Sequence, residues 1–394
     1  MRRQIEEIAA DPALRIYGVA LITTHLLTAF WLMHHDLASM VAAGEDAFCW
    51  PLLPHCEMLR VLSAEQLRIA FGAYVAVALV SALAFVRAKD TVYGYAGLLL
   101  LTVFKLAVIA LDFRLRRNQH YMAFAASGVF LFIPNKRATL QLLLVLFYFW
   151  AGTLKLNWEW LSGAALYQPL WLFTGRGVIL ACAYVIALEL VIVWGLLARD
   201  RRVFWASFAQ VFVFHVFSWA VVGFFYPLLM FGLLAIFPLV RFIPIPTGAE
   251  TRRFPRAALA VAVVFSLMQL STHLYPGDTA ITGEGRLFAL HMFDARVVCE
   301  ATATFEFPDG RRIDADFELE SARTACDPIM IHGVARNLCR KRDAGQLPIV
   351  DLDLKLLARR ATDEALQPVI EIENFCANQP RYDAFLHNDW IATP

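Results

Sequence analysis

Apolar residues fill most of the first 275 positions in long runs, without the polar face that a soluble helix or strand presents. Nine runs read as helices, near 14–34, 67–87, 92–112, 119–134, 138–155, 177–198, 203–221, 224–243 and 256–274. Several reach the roughly 20 residues that one bilayer crossing needs. The pattern changes at Tyr275-Pro276-Gly277. Residues 302–319 alternate apolar and polar side chains around Pro308-Asp309-Gly310, which predicts a hairpin. Asp327-Pro328 opens a helix to about Lys341, and 350–356 and 369–375 read as strands. The pattern therefore predicts an α-helical polytopic membrane protein of about nine transmembrane helices, over residues 1–275. A small extracytoplasmic α+β domain of ββαββ order follows, over 276–394.

Composition agrees: 59% of the 394 residues are hydrophobic. No soluble domain needs that much apolar sequence. The net charge of +1 identifies no partner, and no nucleic-acid partner is expected beside the lipid bilayer. Charge placement says more. Arg2, Arg3 and Arg15, Arg87 and Lys89, Lys136 and Arg137, Arg199, Arg201 and Arg202, and Arg241, Arg252, Arg253 and Arg256 all fall on one side of a nine-helix alternation. The positive-inside rule makes that side, and the N-terminus, cytoplasmic. One group breaks the rule: Arg114, Arg116 and Arg117 lie in an outer loop. No short apolar core precedes a small-residue cleavage site, so the first helix reads as an uncleaved anchor.

The cysteines follow the same topology. Cys49, Cys56, Cys299, Cys326, Cys339 and Cys376 all fall outside, and Cys182 lies within a helix. An even number in an oxidising compartment predicts three disulfides, with the pairing left open. None of the six forms a close Cys-x-x-Cys pair, so no metal is predicted. His34, His35 and His55 read as interfacial.

Charged residues inside spanning helices face a cavity or a partner. Lys105 and Asp112 are seven residues apart on one helix face, and Glu189 is a candidate partner for Lys105. The densest chemistry lies at 146–163, where an aromatic helix ends in Ala151-Gly152-Thr153-Leu154-Lys155-Leu156-Asn157, followed by Trp158-Glu159-Trp160-Leu161-Ser162-Gly163. By its position alone, Lys155 would be a snorkelling lysine and the tryptophans an interfacial belt.

The small residues, lysine, leucine, asparagine, tryptophan and glycine of this segment resemble the catalytic-lysine segment of the vitamin K-dependent gamma-glutamyl carboxylases, within the wider horizontally transferred transmembrane domain family. The resemblance resumes at Asn118-Gln119-His120 and, with the spacing one residue off, at Asp112. Weaker matches are Cys49-Trp50-Pro51 and the Phe214-His215 pair. It implies that Lys155 and His120 are catalytic. It also implies a reduced vitamin K, a naphthoquinol, bound near Asn118, Gln119, His215, Trp150 and Trp160. Oxygen and carbon dioxide would be co-substrates, and glutamate-containing protein or peptide the acceptor. Lys155 would be a largely neutral base in one enclosed pocket with His120. A tail of about 120 residues is shorter than the luminal part of those carboxylases. Quinol oxygenation without peptide carboxylation, and a non-catalytic scaffold of the same fold, therefore stand beside the carboxylase reading.

Overall fold

The computed structural model describes residues 1–170, 172–244, 255–291, 295–317 and 325–393. Arg252, Arg253 and Leu319, which figure in the readings above, lie outside the described residues. A surface helix α1 (Arg2–Ala10) leads into α2 (Pro12–His34), then α3 (Ala64–Val86), α4 (Thr91–Ala110), α5 (Asn118–Phe132) and α6 (Lys136–Leu154). After these come α7 (Arg176–Leu190), α8 (Arg201–Val222), α9 (Phe225–Leu234), α10 (Ile236–Phe242) and α11 (Arg256–Leu270).

Among the described residues, eight helical segments are long and apolar enough to cross a membrane, which is compatible with a multi-pass membrane protein. The expected ninth, 119–134, is α5, with only 15 residues. At about 1.5 Å per residue it spans roughly 22 Å, less than the roughly 30 Å of a bilayer core. It nevertheless joins the two sides of the bundle. Its first residue, Asn118, meets His291 of the C-terminal segment. Near its far end, the Leu131 carbonyl accepts from Tyr95 Oη at 2.9 Å, and Lys136 N then donates to Glu7 of α1 at 2.8 Å.

Local signals explain the helix starts. Asp11 caps α2, accepting from Ala13 N at 2.9 Å, with Pro12 in the first turn. The same carboxylate takes two hydrogen bonds from Arg137, at 2.5 and 2.6 Å, tying the starts of α2 and α6 together. Ser63 and Gln66 form a reciprocal capping box at α3. Most exterior residues of these helices are as apolar as the interior; Leu83, Leu180 and Val264 are exposed, as lipid-facing positions would be.

The C-terminal domain has the expected ββαββ order: β1 (Val297–Glu306), β2 (Arg312–Asp316), α12 (Pro328–Asp343), β3 (Asp351–Arg360) and β4 (Gln367–Ile372). Its antiparallel sheet runs β2-β1-β3-β4. Ile331 and Ala335 of α12 pack with Leu352, Leu354 and Leu356 of β3 in a second core. The disulfides are Cys49–Cys56, Cys299–Cys326 and Cys339–Cys376, and Cys182 is free and buried. The last two close the C-terminal domain upon itself.

Candidate functional site

Lys155 ends α6, and its side chain turns inward rather than snorkelling outward. It is 2% exposed. Nζ donates to Glu189 Oε2 at 2.7 Å and to the Ala151 carbonyl at 3.0 Å, and lies 5.2 Å from the centre of the Trp160 ring. Among the described residues, Lys155 is the only hydrogen-bond partner of Glu189, whose side chain is 2% exposed.

The local sequence makes this arrangement. Gly152 has no side chain where α7 crosses; a Cβ there would lie 2.9 Å from both Glu189 Cβ and Leu190 Cδ2. That close approach carries Glu189 to Lys155. The following turn is held by Asn157, whose Oδ1 accepts from Trp160 N at 2.8 Å. Gly163 has φ +81°, and a Cβ there would sit 2.6 Å from Val178. Trp160 is pinned through Nε1 to the Cys182 carbonyl at 3.1 Å. Glu159, also buried, accepts from Arg360 at 3.0 Å and Arg296 N at 2.9 Å, so the lysine turn is clamped to the C-terminal domain.

The Lys155–Glu189 pair forms part of the wall of a cavity of about 440 Å³ between α7 and α8. Leu180, Val185, Phe214, Phe217 and Val221 supply an apolar lining, and Trp160 an aromatic face. This volume is in the range of small-molecule sites, with a few polar groups in an apolar shell.

A second cavity, of about 530 Å³, lies between the helix bundle and the C-terminal segment. Arg116, Arg117, Arg286 and His291 line it, with Asn118 and Gln119 at the start of α5. Asn118 and His291 hold each other through the backbone: His291 N donates to Asn118 Oδ1 at 3.2 Å, and Asn118 Nδ2 to the His291 carbonyl. Burial, and then the charges of Arg286 and Arg116, push the His291 imidazole well below its usual range. Among the described residues, neither ring nitrogen has a hydrogen-bond partner. Val221, Val222 and Tyr226 line both cavities.

The expected residues divide among three places. Lys155 and Trp160 line the apolar cavity, and Asn118 and Gln119 the polar one. His120 lines neither. It is buried, edge-on to Trp31 at 5.7 Å, within electrostatic reach of Lys105, Arg117 and His25. The expected single pocket of Lys155 with His120 is therefore corrected: the bundle turns the histidine towards α2 and α4. Lys105 does not pair with Glu189 either; Nζ donates to Thr28 Oγ1 at 3.0 Å and lies 5.2 Å from the Phe124 ring. Trp150 faces away from the cavities, with Nε1 on Ser266 Oγ at 3.1 Å. His215 is a packed residue behind the cavity wall, its Nε2 2.5 Å from Tyr148 Oη and its ring beside Tyr226. Asp112 is a structural anchor, buried between Arg60 at 2.6 Å and Arg114 at 2.9 Å. Among the described residues, the closest set of metal-type ligands is Cys49, Cys56 and Glu57, and the two cysteines are joined in a disulfide.

Glu189, Tyr226, Arg286 and His291 were not singled out as site residues by the sequence. The signals available were a carboxylate inside an apolar helix and, for the polar cavity, the arginine group that breaks the charge alternation. No family model, curated protein or solved structure matches this chain.

Proposed function

We propose that the chain is a membrane enzyme of the vitamin K-dependent carboxylase type, which oxygenates a reduced naphthoquinone and couples this to carboxylation of glutamyl residues. The observation that carries the reading is one buried amine–carboxylate pair on the wall of a largely apolar cavity. An isolated charge there is costly, whereas a pair that carries no net charge can be kept dry.

The cavity suits such a quinol: it has a mainly apolar body, an aromatic face at Trp160 and the charged pair at Lys155 and Glu189, with Gln210 and Ser218 as neutral polar lining. When bound, the quinol supplies the oxygen chemistry. The chain's own contribution is proton handling. Glu189 Oε2 accepts a hydroxyl proton, and Lys155 Nζ remains as the donor facing the oxygen that loses it. The pair as a whole then acts as the base, and a neutral lysine is not required. Leu180, Phe214 and Phe217 exclude water, which strengthens each polar contact.

The test is product analysis of the purified chain with reduced naphthoquinone, oxygen, labelled carbon dioxide and a glutamyl peptide. Quinone epoxide and labelled peptide are expected, with both lost in Lys155→Ala, which removes the donor, and in Glu189→Gln, which removes the accepting carboxylate. Epoxide without labelled peptide would establish the oxygenase reading, in keeping with the small C-terminal domain. Unchanged epoxide formation in a folded Lys155→Ala protein would refute a role for the pair and leave the scaffold reading.

A further inference from the structure

Among the described residues, the two most exposed large apolar side chains of the C-terminal domain are neighbours in one loop: Phe385 is 66% exposed and Leu386 65%. The loop is built to hold them outward. Asp383 Oδ1 accepts from Phe385 N at 2.8 Å and from Leu386 N at 3.1 Å. Asn388 closes the loop, with Oδ1 accepting from Asp383 N at 2.6 Å and Nδ2 donating to the Asp383 carbonyl at 3.0 Å. Asn388 N and Nδ2 both donate to Glu284 Oε1 at 2.8 Å, and Glu284 is 0% exposed. A buried carboxylate is costly unless it is hydrogen-bonded in this way. Here it fixes the base of a loop whose tip is apolar.

The tip lies beside the end of the last spanning segment, Arg256–Leu274. Tyr275, the next residue, donates through Oη to the Ala384 carbonyl at 3.0 Å. Phe385 stacks on Phe288 with ring centres 5.7 Å apart, and the Phe288 carbonyl accepts from Tyr121 Oη of α5 at 2.8 Å. Leu267 and Leu270, on one face of α11, are 61% and 45% exposed, and Leu274 at the end of the segment is 83% exposed. The exposed apolar stripe of α11 therefore runs to Leu274, and Tyr275 joins it to the loop.

From this juxtaposition we infer that Phe385 and Leu386 form a membrane prong. They enter the boundary between headgroups and acyl chains of the leaflet on the C-terminal domain's side, and seat that domain on the bilayer. A single exposed leucine would need no explanation. A rigidly held apolar pair, continuous with a helix face that meets hydrocarbon, fits lipid rather than a soluble partner. The tip's own N–H groups are already satisfied by Asp383, so it brings no unpaired donor into the interface. Exposed Arg381, His387 and Asp389 flank it on the wet side, and Tyr275 stands where interfacial tyrosines gather. The inference rests on the reading of the helices as membrane-spanning and makes no use of the quinol chemistry.

The experiment places the full chain in phosphatidylcholine nanodiscs, which leave both faces open to solvent. Leu386→Cys, Phe385→Cys, Leu267→Cys and Glu364→Cys each carry an environment-sensitive NBD fluorophore, and the parent, whose free thiol is the buried Cys182, is the blank. The quenchers are lipids with a nitroxide high on the acyl chain and aqueous iodide. Labels at 385 and 386 should be quenched by the lipid nitroxide, and iodide should reach them at least about threefold less well than the label at 364, an exposed turn position. Two tip positions, both exposed, keep the test decisive if one label disturbs the loop. Iodide quenching at the tip equal to that at 364 would overturn the prong. Protection from iodide without lipid quenching would mean that protein covers the tip, and would overturn it as well. Lipid quenching at 267 but not at the tip would overturn the inference alone, whereas none at 267 would overturn the membrane reading on which it rests.

Discussion

Replacing Lys155 with methionine leaves Glu189 as a buried carboxylate without a hydrogen-bond partner among the described residues, in a side chain 2% exposed. Two unit charges 2.7 Å apart attract by roughly 6 kcal/mol at an effective dielectric constant of about 20. Desolvation of the two ions, several kcal/mol each, offsets most of that. The pair is therefore close to neutral for stability, but each half without the other is not. Lys155→Met is expected to cost about 3–5 kcal/mol. Glu189→Leu should lie at the lower end, because Lys155 keeps the Ala151 carbonyl and the Trp160 face. The double variant should be more stable than either single one, since no unpaired charge remains. Equilibrium unfolding of the four proteins in mixed micelles gives the cycle. Singles within about 1 kcal/mol of the parent, adding up in the double, would mean an exposed-type ion pair and would refute a dry site. The same double variant separates stability from chemistry: it should fold and form no quinone epoxide.

Gly152→Ala raises helix propensity by about 1 kcal/mol, yet its Cβ meets Glu189 and Leu190 at 2.9 Å. We expect a net loss of about 1–3 kcal/mol from overpacking, and a gain in unfolding free energy would show that α7 does not approach as described. In the C-terminal domain, burial holds the His332 imidazole down at about 4 from its ordinary 6.5, although its Nε2 hydrogen bond to the Pro380 carbonyl opposes the shift. The folded state then binds fewer protons than the unfolded one below pH 6.5. Stability present above that pH should be lost as pH falls towards 4, by about 3 kcal/mol in all, and the loss should be absent in His332→Phe; an unchanged pH profile in that variant would refute the assignment. For orientation, a membrane-impermeant maleimide should label Glu364→Cys but not Arg199→Cys in intact cells. Both positions are exposed, and labelling of residue 199 alone would reverse the orientation.

Much of the fold was legible in the chain because it rests on local rules. A run such as 67–87 is too apolar for water, Asp327-Pro328 marks a helix start, and the 302–319 alternation around Pro308-Asp309-Gly310 marks a hairpin. The three disulfides followed from six cysteines sharing one side of the alternation, whereas their pairing needed the sheet and α12 to bring Cys299 to Cys326 and Cys339 to Cys376. Lys155 stood out by its motif. Its partner did not, and Glu189 was read as a candidate for Lys105. The physical reason is that lipid is as apolar as the bundle interior, so a spanning helix carries little hydrophobic periodicity to show which face turns inward. One residue of rotation is about 100°, enough to move a carboxylate from one neighbour to another. Only the packed helices, with α7 drawn onto Gly152, decided that Glu189 meets Lys155 and that His120 turns towards Lys105 and Trp31. Likewise Arg116 and Arg117 were visible as a break in the charge pattern, but their convergence with Arg286 and His291 spans about 170 residues of chain, and tertiary structure alone brings such distant residues into one cavity.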